Sequence, residues 1–372
     1  MKEQMDQVLK MAVSLNASDI HITVGRPPTL RRMGEMTALD KFPVITEEYS
    51  KRLIYGILTE AQQRAFEQSL ELDCSYHIPE LCRFRVNVMV QKGRVEAVLR
   101  VIPSKIPQPS EIGLSDSIIK FTKLNKGLVL VTGPTGSGKS TTLASLIELI
   151  NATRKEHIIT VEDPIEFVYE PKTCVIRQRE VGSDTHSFAS ALKHILRQDP
   201  DIILVGEMRD LETISLAITA AETGHLVFAT LHTQDAAQTV DRIIDVFPPY
   251  QQQQVRVQLA NSLEGVVSQH LLPRADGKGR AACREVMFVT PAISNLIREG
   301  KTHQIYSAIE TGSKFGMTSM DSAMLELVRQ RVITPEVALS KSANPESLRA
   351  RLGGAVPAQP QGVRPPEPGR RI

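Results

Sequence analysis

Apolar residues recur along this chain at two different periods, and the switch between them marks its parts. Near the start, Met5, Val8, Leu9, Ala12 and Val13 follow helical spacing, and Asn16 to Ser18 end that helix before a short apolar run, 20–24, that predicts a strand. A second helix is expected after a Thr46 cap, with Glu48 nearby and apolar positions at Leu53, Ile54, Ile57 and Leu58. Residues 83–88 and 95–100 flank the turn Gln91-Lys92-Gly93 and predict a hairpin with Arg83 and Arg85 on one face. Taken alone, that face reads as a solvated sheet surface. These elements make residues 1–102 a small α+β domain.

Pro103, Pro107 and Pro109 interrupt the next stretch, so 103–113 reads as a Pro-rich linker. Beyond it strand-like and helical runs alternate: strands at 127–132, 158–161, 202–205 and 226–230, with helices at 141–150, 187–197 and 211–221. Alternation of this kind predicts a parallel sheet wrapped by helices, with ligand at the C-terminal strand edge. This second domain is expected to span 114–345. Gly353, Gly354, Pro357, Pro360, Pro365, Pro366 and Pro368 then make 346–372 an expected disordered tail.

Composition narrows the class. The 372 residues are 41% hydrophobic and 23% charged, ordinary for a globular chain with two or three cores. The net charge of +2, from 44 basic and 42 acidic residues, gives no global basic field of the kind nucleic-acid binders show. Cys74, Cys82, Cys174 and Cys283 form no C-x-x-C pair, which argues against a disulfide framework or zinc site. No apolar segment approaches the roughly 18 residues of a membrane span, so a cytoplasmic chain, neither exported nor inserted by its own means, is expected.

The decisive chemistry lies at Gly133-Pro134-Thr135-Gly136-Ser137-Gly138-Lys139-Ser140, a complete phosphate loop between a predicted strand and a predicted helix. Its glycines let consecutive N–H groups curl around phosphates, Lys139 neutralises charge, and the Ser140 hydroxyl can ligate Mg²⁺. The helix start adds partial positive charge.

Three further segments end predicted strands. The first, 159–167, places the adjacent acids Glu162 and Asp163 where a strand should stop, suited to Mg²⁺ or a lytic water, although Asp-Pro also begins ordinary turns. The second, 201–207, delivers an acid after an apolar run. The usual Walker-B aspartate position holds Gly206, leaving Glu207 as the carboxylate. The third, 223–233, has His225 and His232 at its two ends, of which His232, at the C-terminal end, is the better candidate.

Together these segments resemble the Asp box, atypical Walker B and His box of the secretion-superfamily ATPases, nearest to the type IV pilus retraction ATPases. The resemblance runs from about residue 3 to about residue 340. It takes in Ala17-Ser18-Asp19-Ile20-His21-Ile22 with Gly25 and Pro27-Pro28, Arg83-Phe84-Arg85-Val86-Asn87, and Pro291-Ala292-Ile293-Ser294-Asn295-Leu296-Ile297-Arg298-Glu299. It implies a RecA-like P-loop motor domain with a smaller PAS-like α+β N-terminal domain, in a cytoplasmic homohexamer at the inner-membrane face. Such a ring hydrolyses ATP to depolymerise pili for twitching motility, acting through an inner-membrane platform protein, with a paralogous retraction ATPase as a further partner. No nucleic acid is implied, and membrane association comes only through partners.

Carried over, the resemblance assigns phosphate and Mg²⁺ binding to the loop and Thr141. Metal positioning and water activation go to Glu162 and Glu207, and γ-phosphate sensing to His225 and His232. Arg83, Arg85, Arg94 and Arg100 lie where basic residues face the neighbouring subunit's nucleotide, and such a trans arginine is worth about 10³-fold or more. Ser294 stands where the retraction motif would hold arginine, and the long tail is a feature of the accessory retraction paralogue.

Other readings are separable. An assembly or type II secretion ATPase would carry a four-cysteine zinc insertion and an extra N-terminal domain, neither of which is expected here. A nucleotide-gated switch with little hydrolysis is opposed by the Glu162, Glu207, His232 set, and a RecA-like DNA motor by the lack of a concentrated basic groove.

Overall fold

The computed structural model describes residues 1–32, 34–79, 81–102 and 105–353. Pro103 of the expected linker, and 354–372 of the expected disordered tail, lie outside the described residues.

The N-terminal domain is built from α1 (Lys2–Ser14), β1 (Asp19–Ile22), β2 (Thr29–Arg32), β3 (Glu35–Ala38), α2 (Glu47–Tyr55), α3 (Glu60–Ser69), β4 (Glu71–Ile78), β5 (Cys82–Gln91) and β6 (Arg94–Ile102). Its antiparallel sheet runs β3-β2-β1-β6-β5-β4. The helical stripe of α1 buries Met5, Val8, Leu9 and Ala12 in one core with Phe84, Val86 and Val88, the alternate residues of β5. The Thr46 hydroxyl caps α2 by accepting from Tyr49 N. Gln91 pairs with Arg94, leaving Lys92 and Gly93 (φ 51° and 78°) as a two-residue turn whose positive φ values match strand twist. Alternation on β5 sends Arg83 and Arg85 to the face opposite the core, as the pattern predicts.

The linker is not a free spacer at its far end. Ile106 and Ile112 pack on the second domain's core, to which Leu114 itself belongs. From there the chain forms α4 (Asp116–Ile119), β7 (Gly127–Thr132), α5 (Lys139–Thr153), β8 (His157–Glu162), β9 (Val175–Glu180), α6 (Phe188–Ile195), β10 (Ile202–Val205), α7 (Leu211–Glu222) and β11 (Leu226–Leu231). It continues through α8 (Ala236–Asp245), α9 (Pro249–Ser262), β12 (Leu263–Pro273), β13 (Arg280–Phe288), α10 (Pro291–Glu299) and α11 (Ile305–Thr311).

The seven-stranded sheet runs β13-β12-β7-β11-β10-β8-β9. β7, β8, β10 and β11 are fully or almost fully buried and parallel, with helix-lined cores on both faces. The sheet is nevertheless not wholly parallel: β13 runs antiparallel to β12 at one edge. β9, β12 and β13 are not among the strands that the sequence pattern predicts. β9 reads Val-Ile-Arg-Gln-Arg-Glu and is half exposed, so it lacks the apolar run of a central strand.

The chain continues into α12 (Met320–Arg329), α13 (Pro335–Lys341) and α14 (Pro345–Arg351). This corrects the start of the expected tail. Asn344 caps α14, whose Leu348 is fully buried with Leu272, Cys283, Met324 and Ile333 in a small separate core. Composition there is poor in apolar residues, but one leucine at the right turn suffices to dock a short helix. Among the described residues no helix is long and apolar enough to cross a membrane.

Candidate active site

β7 delivers the chain into the phosphate loop, and three glycines allow the curl. Gly133 has φ 140°, and a Cβ there would lie 2.2 Å from Gln269 O and 2.7 Å from Ser137 Oγ. Gly136 and Gly138 are left-handed, at 76° and 88°. Lys139 opens α5 with its Nζ folded over the loop, donating to Gly133 O at 2.8 Å and Pro134 O at 3.2 Å. Burial lowers its ammonium pKa, an effect opposed by the negative charges of Glu207 and Glu166. Ser137 Oγ is buried without a hydrogen-bond partner among the described residues, a donor held in reserve inside the loop. Ser140 and Thr141 stand in the first turn of α5, at the positive end of its dipole.

In the same sheet, β10 lies beyond β11 from β7, and its parallel course ends at the loop's edge, where the Glu207 charge acts on Lys139. At Gly206 a Cβ would meet Glu162 Cα and Val161 O at 3.2 Å, so the Walker-B aspartate of related loops has little space and the acid falls one residue later. Glu207 is gripped on two oxygens by Arg209 (Nε to Oε1 and Nη2 to Oε2, both 2.7 Å), and His232 Nε2 lies 3.0 Å from Oε1. Burial alone would raise this carboxyl; Arg209 and His232 outweigh it and hold the group below its ordinary value. Glu207 is therefore ionised at neutral pH.

Glu162 is its opposite. It is 8% exposed and accepts from Thr160 Oγ1 (2.7 Å), Gln178 Nε2 (3.2 Å) and Glu166 N (3.4 Å). Burial pushes it up to about 7 despite those hydrogen bonds. The two acids assigned one shared role thus occupy different environments. The carboxylates whose charge acts on Lys139 are Glu207 and Glu166, and Glu166 is missed by the sequence reading although it lies inside the same motif. Glu180 at the end of β9 is missed as well; its carboxylate accepts from Ile165 N (3.0 Å), Ser75 Oγ (2.7 Å) and Arg83 Nη2 (2.5 Å). Arg209 does carry a sequence signal, since it lies two residues beyond Glu207.

His225 must be withdrawn as a γ-phosphate sensor of its own site. It precedes β11, which runs parallel to β7 with Leu226 opposite Gly127 and Leu231 opposite Thr132. The phosphate loop follows the far end of that six-residue strand, about 20 Å away at about 3.3 Å per residue. There His225 Nδ1 lies 2.9 Å from Ala220 O and terminates α7. His232 follows β11 and reaches the site.

The arginines separate as well. Arg83 is paired with Glu180, Arg100 with Asp19 at 2.8 Å and Arg94 with Glu47 at 3.7 Å. Arg85 is exposed, sits opposite Arg100 across β5–β6, and makes no ion pair among the described residues.

The family model described as type II/IV secretion system protein matches residues 1–338. The chain belongs to that family. Among its relatives, the type IV pilus retraction ATPase PilT of Pseudomonas aeruginosa is 49% identical over 342 residues, covering 92% of this chain and 99% of the relative. The type IV pilus ATPase PilU of the same organism is 39% identical, covering 94% and 92%. A crystal structure of the pilus retraction motor PilT with bound ADP superposes with a TM-score of 0.87 at 46% identity, covering 92% of this chain and 98% of that one. Within this family the chain is a nucleotide-binding ATPase with a RecA-like motor domain behind a smaller N-terminal domain, as its motifs imply.

Proposed function

We propose that this chain is one subunit of a homohexameric ring that hydrolyses ATP to retract type IV pili, and so supports twitching motility. The observation that carries the reading is its 49% identity to PilT across 92% of the chain, which includes every strand end of the site. Lys139 and the loop amides hold phosphate charge already present in the ground state. Glu207, ionised and at the sheet edge, orients and deprotonates the attacking water, and His232 keeps that carboxylate aimed. Glu162 anchors the loop carrying Glu166 instead of meeting water directly.

The donors fit Mg²⁺, which takes few protein ligands and keeps water and phosphate oxygens: Ser140 offers a hydroxyl and Glu207 an ionised carboxylate. Bound there, the ion would draw charge from the phosphates. Arg85 and Arg100, together on an outward face, complete the neighbouring subunit's site. The ring works at the cytoplasmic face of the inner membrane, against a platform protein and alongside a paralogous retraction ATPase, and α10 couples nucleotide state to that machinery. In α10, Ile293 and Ile297 are buried, Leu296 packs partly, and Ser294 accepts from Arg298 while donating to Ala260 O.

Deletion tests direction. Cells lacking the protein should keep or over-accumulate surface pili while losing twitching; bald cells would mean extension. A native mass measurement beside a steady-state ATPase assay tests hexamer and turnover.

A further inference from the structure

We propose that Gln269 and Arg284 are a positioning pair that ties the phosphate loop to the linker between the two domains, so that nucleotide on the loop and the path of the linker are set together. The two residues are cross-strand partners in β12–β13. Gln269 is buried, and its amide is engaged at both ends: Nε2 donates to Ser137 O at 2.5 Å, while Oε1 accepts from Thr142 Oγ1 at 2.7 Å and Arg284 Nε at 2.8 Å. Chemistry dictates this orientation, since a guanidinium can only donate and a carbonyl can only accept.

The loop rests on this residue at both ends. A Cβ at Gly133 would strike the Gln269 carbonyl, and one at Gly138 would come within 2.8 Å of its Nε2. A phosphate-driven shift of residues 133–138 toward β12 would therefore press on Gln269, and one away from it would pull on the Ser137 O bond. Arg284 passes the constraint on, because its remaining nitrogens fork onto the linker: Nη1 to Gly113 O at 3.0 Å and Nη2 to Ile112 O at 2.9 Å. The fork is planar, so it fixes direction as well as distance.

The linker can transmit what it receives. Pro107 and Pro109 stiffen it, Leu114 N donates to Pro109 O, and Ile106 and Ile112 are seated on the motor core. The pair thus joins the phosphate loop, at the end of β7, to the linker that leads to the N-terminal domain. Neither residue touches phosphate in this arrangement; both act through others. The inference rests on the nucleotide-binding reading of the loop.

The chain contains no tryptophan, so Lys105→Trp places a single emitter in the linker. In that background, ADP with Mg²⁺ should bind by calorimetry and shift the emission. Arg284→Lys keeps the charge but loses the fork: ADP affinity should stay within about threefold, while most of the emission shift disappears. Gln269→Glu keeps both acceptor contacts but turns a carboxylate oxygen toward Ser137 O. It should lower ADP affinity about tenfold and abolish the shift at saturating ADP. This near-isosteric change carries the test if Arg284→Lys melts early.

An undiminished shift in both variants, or no shift in the parent despite ADP binding, overturns the coupling while leaving the nucleotide site standing. Absence of ADP binding in the parent removes the nucleotide reading itself, and the coupling with it.

Discussion

The Arg83 guanidinium of the N-terminal sheet meets the Glu180 carboxylate of the motor sheet at 2.5 Å, with the two side chains only 19% and 3% exposed. The same carboxylate accepts from Ile165 N, inside the segment that carries Glu162 and Glu166. An arginine placed by family logic opposite a neighbour's nucleotide is therefore engaged within its own chain, as a link between the N-terminal domain and the Asp-box loop.

Removing that link should be costly. Arg83→Ala strands a nearly buried carboxylate, a change worth about 3 kcal/mol or more, and should lower the melting temperature by roughly 5 °C. Arg85→Ala, at an exposed position, should shift stability by less than about 0.5 kcal/mol. Equal melting curves for the two variants would refute the cis link.

Arg85, Arg94 and Arg100, the three exposed members of the four, remain the candidates for action between subunits, with Arg85 and Arg100 side by side across β5–β6. Lys139→Ala, and a double Arg85→Ala, Arg100→Ala variant, should each lack ATPase activity and regain part of it when co-assembled, since each ring then holds some intact loop–arginine pairs. Mixed rings verified by native mass but still inactive would count against trans completion.

Lys139→Ala should abolish nucleotide binding, because it removes the charge that meets the ground-state phosphates. Glu207→Gln should bind ATP within a few-fold of the parent and lower turnover by about 10² or more, because the amide still offers Mg²⁺ an oxygen while the base that deprotonates water is lost. Equilibrium binding and steady-state hydrolysis separate the two; normal turnover in Glu207→Gln would remove the base assignment.

Glu162 makes stability depend on pH in a defined direction. Its carboxyl rises on folding from 4.5 to about 7, so its stabilising contribution is full below the lower value and is lost as pH rises through the upper one. Glu162→Gln is neutral throughout. Its melting temperature relative to the parent should therefore climb between about pH 5 and about pH 8. A flat difference would show that Glu162 stays ionised in the fold.

Chemistry that is contiguous in the chain is legible in the sequence by itself. The phosphate loop is a strand, a turn and a helix start in direct succession, so local backbone needs alone identify it, and strands at 127–132 and 202–205 fall where their apolar runs place them. Glu207 and His232 are readable because each ends such a run. Strand direction also suffices to exclude His225, since a residue before a parallel strand and a loop after one lie at opposite sheet edges.

Tertiary structure alone decided what supports those groups. Gln269 touches the loop across 132 positions of sequence, from a strand that no apolar pattern announced. Arg83 chose Glu180 from 97 positions away, because the packing of one domain on the other closed that distance. Leu348 became core only when α12 and α13 supplied a surface for it. Local sequence dictates which backbone shapes and charges exist at each point. Which of them meet depends on burial and register summed over the whole chain, and that sum is not written at any single position.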